Sequence, residues 1–338
     1  MLTDRFYYNR LSNKEKTIYN ELYKSIINLQ PVAKVTGCLT MPTVKNIIEA
    51  ITNDNPHLYF FNQTEVRLQM SALSSTVYLT YFFNKSEIAL YNKKIEEAVN
   101  KIIKKLQLET AGSEYEIEKR VHDTLASHLE YDHSAISTTD KRHLAIAHSI
   151  VGVFVDKKAV CEGIAKATKI LLNTANIHCI VVTGNSTLEK HGGHAWNIVK
   201  INNAAYHLDI TWDIANSTKK YVNYDYFNLN DMEILKDHSN FKDVPLCIST
   251  EANYYNFENL LFSDISAAKK HIKKLMKENK HYINIKWQST TIDLNETAKA
   301  LVQFSLSLAA TDGYRWQAKY TVNPEQNTIK IFLNVGLM

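Results

Sequence analysis

Three residues in the middle of the chain have the side-chain types that nucleophilic catalysis requires. Cys161 lies in the segment AVCEGIAKATKILL, His194 in GGHAWNIVKI, and Asp209 in YHLDITWD. A thiolate can attack a carbonyl carbon, an imidazole can shuttle the proton, and a carboxylate can fix the imidazole tautomer. The order and the gaps of these residues therefore predict a Cys-His-Asp triad that acts on acyl groups.

Two neighbouring strands are predicted to bring the base and the acid together. Asn202 and Asn203 separate two apolar-rich runs, and asparagine tolerates the positive φ of a two-residue hairpin turn. In that register His194 and Asp209 become diagonal neighbours on one face, close enough for a hydrogen bond. The same register extends the second strand beyond Asp209 and places His194 opposite Thr211.

A helix is predicted to position the nucleophile. Cys161 would begin it, where the helix dipole and free N–H groups favour a thiolate. The backbone N–H of Cys161 would be one donor to the oxyanion, with His148 as a candidate second donor. Gly192 and Gly193 would let the backbone pass close to the site, and Trp196 would line the cleft.

Each of these residues also has a purely structural interpretation. A cysteine in an apolar helix is commonly a packing residue, and a histidine or aspartate on a strand commonly makes structural hydrogen bonds. His207 shares the predicted face of Asp209 and could compete as base, but we interpret it as structural or cleft-lining. A metal site built from Cys161, His194 and Asp209 would need a fourth ligand. We therefore predict neither a metal nor a cofactor.

The three motifs resemble the catalytic motifs of the transglutaminase-like superfamily, most closely its bacterial members. The resemblance covers about residues 113–247 and implies an α+β fold with a papain-like core. In such a core a helix bearing the nucleophile packs on an antiparallel sheet bearing the base and the acid. By motif position, the resemblance implies Cys161 as nucleophile, His194 as base and Asp209 as orienting acid, with amide chemistry through a thioester.

The chain also departs from this superfamily's pattern. Ile164 stands where members often have tyrosine, and Ile150 stands where another aromatic residue is common. Animal transglutaminases stabilise the oxyanion with a tryptophan upstream of the nucleophile, whereas all four tryptophans here follow Cys161. These departures leave the triad intact but weaken the prediction of a cross-linking activity.

The resemblance implies a cysteine-dependent hydrolase or acyltransferase that acts on amide bonds of a peptide or protein, and we favour proteolysis. A transglutaminase or deamidase that acts on glutamine side chains is the enzymatic alternative. A binding module that keeps the fold without the chemistry is the second alternative. The intact triad counts against this last interpretation.

Composition limits the other classes of function. The 338 residues carry a formal charge of +4, with 45% hydrophobic and 22% charged residues, which does not indicate a nucleic-acid partner. The four cysteines are widely spaced without a CxxC pair, a pattern typical of reduced thiols.

No segment has the length or the apolar character of a membrane span or signal peptide. The expected compartment is the cytoplasm, or the protein is secreted or exported if an export signal has been removed, and the oligomeric state stays open.

The sequence predicts three units. They are an N-terminal α/β region of unknown role (1–112), the catalytic core (113–247) and a small C-terminal α/β unit (248–338). In the first unit Ser12 is expected to cap a helix, and HLYFFN is expected to form a strand. In the last unit, the pattern predicts a hairpin that turns at residues 323–327.

Overall fold

A computed structural model describes residues 5–71, 73–187, 193–218, 220–288, 292–309 and 316–335, and the structural statements below concern these residues. Helices and mostly antiparallel sheets are mixed along the chain, which confirms the predicted α+β class. Within these ranges, no helix is both long enough and apolar enough to cross a bilayer.

The N-terminal part packs helices against a small antiparallel sheet. Its helices are α1 (Phe6–Arg10), α2 (Asn13–Ile27), α3 (Met41–Asp54) and α4 (Lys85–Leu106), and its strands are β1 (Val32–Thr36), β2 (Arg67–Met70) and β3 (Ser74–Tyr78). The strand order is β1-β3-β2. Ser12 caps α2 as predicted, because its hydroxyl accepts from the Glu15 N–H while the Glu15 carboxylate accepts from the Ser12 N–H.

The segment HLYFFN does not form the predicted strand. Pro56–Leu58 is a 3-10 turn, and the aromatic residues that follow are buried in the core. The side-chain amide of Asn55 donates to the Ile51 carbonyl at the end of α3, and Pro56 fixes the next φ. The chain therefore turns at this point, and only an isolated bridge between Phe61 and Tyr81 remains of the strand pattern.

The middle part contains the candidate catalytic residues. Its helices are α5 (Glu114–His128), α6 (Lys141–Ala147), α7 (Cys161–Thr174), α8 (Ile210–Ala215) and α9 (Asp231–Ile234), and its strands are β4 (Glu130–Tyr131), β5 (Lys158–Ala159), β6 (Cys179–Ser186), β7 (His194–Ile201), β8 (Ala204–Leu208) and β9 (His238–Ser239). An antiparallel sheet of order β8-β7-β6-β9 packs against α7. The buried Asn197 amide donates to the carbonyls of Ala165 and Ile180, at 2.9 and 3.0 Å, and thereby ties the helix to the sheet.

The C-terminal part has its own sheet and helices. They are α10 (Tyr254–Phe257), β10 (Leu261–Phe262), α11 (Ile265–Lys277), β11 (Tyr282–Trp287), α12 (Leu294–Ala309), β12 (Trp316–Asn323) and β13 (Thr328–Val335). The strand order is β10-β11-β13-β12. Asn323 pairs with Thr328, which confirms the predicted final hairpin.

Two large hydrophobic clusters divide the molecule differently from the three predicted units. One cluster joins the N-terminal and middle parts and includes Ile47 and Val121. A separate cluster around Ile285 fills the C-terminal part. The C-terminal part is also joined to the middle part by a buried ion pair between Lys330 and Asp225. The boundaries at 112 and 247 remain predictions.

Candidate active site

Cys161 is the first residue of α7, and its side chain is nearly buried. It is 8% exposed and packs with Ala165, Val181 and Ala195. The preceding residue, Val160, is the N-cap and makes no side-chain hydrogen bond to the helix. The first N–H groups of α7 therefore have no acceptor from the N-cap side chain, and the positive end of the helix dipole lies at Cys161.

Gly163 allows a second segment of backbone to approach the beginning of α7. A Cβ at this position would lie 2.7 Å from the Ala147 carbonyl oxygen and 2.8 Å from the Ser149 carbonyl oxygen. Only a residue without a side chain fits such a contact. The glycine therefore holds the end of α6, next to His148, beside the first turn of α7.

The β7–β8 hairpin has the predicted register. Asn202 and Asn203 have φ values of 48° and 68°, and Ile201 pairs with Ala204 across the turn. The two strands remain paired as far as Leu208.

Beyond Leu208 the structure differs from the prediction. Asp209 is the N-cap of α8, and its Oδ1 accepts from the N–H groups of Thr211 (2.9 Å) and Trp212 (3.3 Å). The predicted continuation of β8, with Thr211 opposite His194, is therefore wrong. An aspartate that caps a helix satisfies backbone donors that a strand would leave unpaired, which explains the change of element.

The structure brings His194 and Asp209 into direct contact. The Nε2–H of His194 donates to Oδ2 of Asp209 at 2.7 Å, and both side chains are almost fully buried. The other ring nitrogen, Nδ1, is buried and has no hydrogen-bond partner among the described residues. The Cys161 thiol interacts electrostatically with this ring. Nδ1 is thus the nitrogen available to exchange a proton with the sulfur.

The charge of the base follows from these contacts. Burial alone would lower the pKa of His194, but the Asp209 charge, the hydrogen bond to it and the nearby thiol raise that pKa to about 10. Burial would likewise raise the pKa of Asp209, yet His194 and its other hydrogen-bond donors hold it well below its usual range. At neutral pH the pair is therefore an imidazolium and a carboxylate, which places a positive charge next to the Cys161 thiol.

A second histidine, which was not predicted from the sequence, binds the same carboxylate. His238 on β9 donates from Nε2 to Asp209 Oδ2 at 3.1 Å and from Nδ1 to Asp237 Oδ1 at 2.6 Å. Burial opposes the charged form, but the two carboxylates raise the pKa of His238. The only sequence signal was the Asp-His pair itself, and no pattern between residues 213 and 237 indicated that it would fold back onto Asp209.

The structure places Trp196 behind the site and not in the cleft. Its side chain is 1% exposed, and its ring stacks on that of His194 with centroids 5.8 Å apart. Its Nε1–H donates to Nδ1 of His207 at 3.0 Å, and Nε2 of His207 donates to Asp231 at 2.9 Å. Burial lowers the pKa of His207 to about 4, so the ring is neutral. His207 is therefore structural, one of its two predicted interpretations.

A solvent-connected cleft of about 610 Å³ leads to the Cys161 thiol. His194, Gly193 and His148 also line it. A Cβ at Gly193 would meet nothing within 4 Å, so the structure gives no steric reason for a glycine there. The predicted role of Gly192 lies outside the described residues. The oxyanion role of His148 remains a prediction, since its Nδ1 already donates to Glu162 at 3.1 Å.

Glu162 links the catalytic helix to the N-terminal part. Its carboxylate accepts from Lys166 Nζ at 2.6 Å and from the Gln63 side-chain amide at 2.9 Å. The Gln63 carbonyl in turn accepts from the Thr52 hydroxyl at 2.9 Å. Burial would raise the pKa of Glu162, but the Lys166 charge and the bond from His148 lower it to about 2. No sequence motif indicated that Gln63 and Thr52 would lie at this cleft.

Among the residues that the structure describes, two groups of side chains have the donor atoms of a metal site. The donor atoms lie within 4.8 Å of one another in each group, and the members are His194, Asp209 and His238 in one, and His207, Asp231 and Cys247 in the other. In both groups the histidine nitrogens that face the carboxylate already donate hydrogen bonds to it. Hydrogen bonding therefore accounts for both arrangements.

Comparison of the sequence with known families gives a match to the middle of the chain. The profile described as "Transglutaminase-like superfamily" matches residues 102–225, which include Cys161, His194 and Asp209. No curated protein matches the chain.

Comparison with solved structures gives distant similarities. The chain is similar to a protein named as a TGase, with 16% identity over 53% of this chain and 50% of that chain, and a TM-score of 0.31. It is also similar to a provisionally named cysteine protease from Cytophaga hutchinsonii, with 14% identity, a TM-score of 0.27, and coverage of 44% of this chain and 61% of the other. A provisionally named protease from Parabacteroides distasonis has 12% identity and a TM-score of 0.26, and the similarity covers 43% of this chain and 36% of the other. The chain thus spans less than two thirds of each of these proteins.

Proposed function

The chain belongs to the transglutaminase-like superfamily through residues 102–225, and we propose that it is a cysteine-dependent enzyme that hydrolyses amide bonds of peptides or proteins. The observation that carries this proposal is the orientation of His194. Its Nε2 donates to Asp209 at 2.7 Å, and its Nδ1 is left for the Cys161 thiol at the end of an open cleft.

The proposed reaction begins with attack on the amide carbonyl. The Cys161 thiolate forms a bond to the carbonyl carbon, and the backbone N–H of Cys161 stabilises the negative oxygen. His194 then donates its Nδ1 proton to the leaving amine, and the C–N bond breaks to give a thioester. A water molecule, deprotonated by His194, attacks the thioester and releases the acid and the free thiolate. Asp209 keeps the ring oriented throughout.

Transfer of the acyl group to an amine would use the same thioester. The glutamine transglutaminase or deamidase alternative therefore differs only in the acyl donor and in the acceptor that resolves the thioester. The binding-module alternative differs more, because it requires no reactive thiol. The two questions need separate experiments.

The reactivity of the cysteines tests whether Cys161 is activated. Cys38 is exposed, whereas Cys161 is nearly buried and Cys179 and Cys247 are fully buried. Accessibility alone would make Cys38 react first with iodoacetamide. We expect Cys161 to react at least about tenfold faster than Cys38 at neutral pH, because the neighbouring imidazolium would stabilise a thiolate. Mass spectrometry of the alkylated peptides measures the two rates. A slower reaction at Cys161 than at Cys38 would contradict the proposal.

His194→Gln is the matched variant for this measurement. It removes the positive charge beside the sulfur but leaves Cys38 untouched, so the Cys38 rate is an internal control in both proteins. We expect the ratio of the two rates to fall at least about tenfold in the variant. An unchanged ratio would show that the ring does not activate the sulfur.

The reaction type is tested with a library of peptides and a primary-amine probe. Hydrolysis predicts new amino termini, whereas the alternative predicts amine incorporation or conversion of glutamine to glutamate. Cys161→Ala is the control, and every product must disappear with it. Products that persist in that variant would remove the proposed mechanism.

A further inference from the structure

A second cavity adjoins the catalytic cleft. It has a volume of about 480 Å³, within the range of sites that bind small ligands. The cavity and the cleft share lining residues, namely Thr52, Gln63, Thr64, His148 and Glu162. Glu162 directly follows Cys161 in the chain, so the cavity begins next to the nucleophile.

The interior of this cavity is apolar and is built from two parts of the chain. Its apolar lining comprises Leu58, Tyr59, Phe61, Phe82, Leu144 and Ala145. The first four belong to the N-terminal part and lie outside residues 102–225, while the last two lie on α6. The family region alone therefore cannot form this cavity.

Hydrogen bonds within the chain hold parts of the cavity wall in place. The Tyr59 hydroxyl lies 3.0 Å from the Ile88 carbonyl oxygen and 2.8 Å from Asn92 Oδ1, and its proton has an acceptor within the protein. The Phe82 N–H donates to the Phe60 carbonyl at 2.9 Å. Binding of an apolar ligand group to such a preformed apolar surface is favourable, because it removes apolar surface from water.

Charged groups lie at the edge of the cavity and are already paired. Lys141 forms an ion pair with Glu65, and Lys166 forms one with Glu162 at 2.6 Å. Because each charge has a partner within the chain, the cavity does not offer a free charge to bind a charged side chain. The lining and the edge both favour an uncharged, bulky group.

We infer that this cavity binds a large apolar side chain, such as that of phenylalanine or leucine, on the acyl side of the substrate, because His194, which protonates the leaving amine, does not line it. This inference rests on the proposed function, since it places the carbonyl at Cys161. It narrows the substrate class to peptides with a bulky apolar residue on that side. It also gives the N-terminal part a role in substrate selection.

Peptidyl chloromethyl ketones test the inference on the full-length protein. The Cys161 sulfur displaces chloride from the methylene carbon and forms a stable thioether, so the rate is read from the mass of the labelled peptide. The probes carry phenylalanine, leucine, glycine or lysine at one of the two acyl-side positions. We expect phenylalanine and leucine probes to label Cys161 at least about tenfold faster than glycine or lysine probes.

Two variants place bulk in the cavity. Thr139 is exposed and lines the cavity but not the catalytic cleft, and Leu144 is half-buried in its wall. We expect Thr139→Trp and Leu144→Trp to reduce the ratio of phenylalanine to glycine labelling at least fivefold. Because a ratio is measured, a general loss of reactivity does not imitate this result. Ser137→Trp is the matched control, since this exposed residue lies in the same segment but does not line the cavity, and its ratio is expected to equal that of the wild type.

The outcomes separate the two proposals. Failure of every probe and of iodoacetamide to label Cys161 preferentially would overturn the proposed function. Rapid labelling of Cys161 at equal rates with all probes would leave that function in place and overturn the inference. A preference for phenylalanine that both tryptophan variants retain would also overturn it, because the side chain would then bind elsewhere.

Discussion

At the residue scale, one oxygen of Asp209 holds two histidines, and its other oxygen caps a helix. Oδ2 accepts from His194 and His238, while Oδ1 accepts from the N–H groups of Thr211 and Trp212. Four donors on one carboxylate fix its position more firmly than the His194 bond alone would. The orientation of the base therefore depends on a helix cap and on a second ring that never reaches the cleft.

His238 is expected to be a positioning residue for His194. His238→Ala removes one donor from Asp209 and leaves Asp237 without its imidazole partner, and loss of a buried charged partner is costly. We predict an alkylation rate at Cys161 about tenfold lower, and a shift of its pH profile as the charge around His194 changes. His238→Gln, which keeps one N–H donor, should restore part of the rate. Equal rates in the wild type and both variants would contradict this role.

At the element scale, the first turn of α7 depends on the absence of one side chain. Gly163→Ala would force a Cβ against the carbonyl oxygens of Ala147 and Ser149. We predict a free energy of unfolding lower by about 1–3 kcal/mol, together with slower alkylation of Cys161, because the helix must move. Gly112→Ala is the matched control, since its Cβ would meet only the flexible Glu116 side chain. A similar small effect of both substitutions, measured by urea unfolding, would refute the prediction.

Helix α5 contains a buried acid whose titration should make stability depend on pH. Burial raises the pKa of Glu118 to about 8, although the Asn228 amide donates to its Oε2 at 2.7 Å. Between pH 4.5 and pH 8 the folded state holds a proton on Glu118 that the unfolded state has lost. The stabilising contribution of Glu118 to the free energy of unfolding is therefore fully present below pH 4.5 and is lost as the pH rises through 8.

Glu118→Gln isolates that contribution. An amide cannot ionise, so the free energy of unfolding of the variant should exceed that of the wild type increasingly from pH 5 to pH 8. The difference is expected to grow by roughly 1.4 kcal/mol per pH unit. Urea unfolding at several pH values measures it, with the exposed Glu97→Gln as control. Parallel curves for Glu118→Gln and wild type would contradict the prediction.

The sequence was enough to predict local features of the elements, but not contacts between residues distant in the chain. Helix caps and two-residue turns are local, so Ser12 and the Asn202–Asn203 turn were predictable, and the turn was enough to bring His194 towards Asp209. The cap at Asp209 was missed because Ile210 and Trp212 continue the alternation of a strand, and a side-chain hydrogen bond overrides that pattern. Contacts distant in sequence, such as His238 on Asp209 and Gln63 on Glu162, have no periodic signal.

At the scale of the whole molecule, the C-terminal part is attached by a buried charge. Asp225 accepts from Lys330, from the Thr328 hydroxyl at 2.9 Å and from the Tyr255 hydroxyl at 2.6 Å. Burial opposes ionisation, but the Lys330 charge lowers the pKa of Asp225. The apolar cluster around Ile285 is separate from the cluster of the middle part, so this polar contact helps to join the C-terminal sheet to the middle part.

Removal of one partner should loosen this attachment. Asp225→Ala leaves the Lys330 ammonium buried and unpaired, and we predict a loss of about 3–5 kcal/mol of stability. Hydrogen exchange of β13 should rise at the same time. The double variant Asp225→Asn/Lys330→Met should be more stable than Asp225→Ala, because it leaves no unpaired charge buried at this contact. Lys299→Ala, in an exposed pair with Glu296, is the control and should cost less than about 1 kcal/mol.

The stacking of Trp196 on His194 has an optical consequence. A protonated imidazole quenches the emission of an indole that it touches, whereas a neutral one quenches it much less. The ring planes are inclined by only 20°, so the brightness of Trp196 should follow the charge on the imidazole. We therefore expect the emission of Trp196 to report, without any label, when the His194 ring gains or gives up a proton.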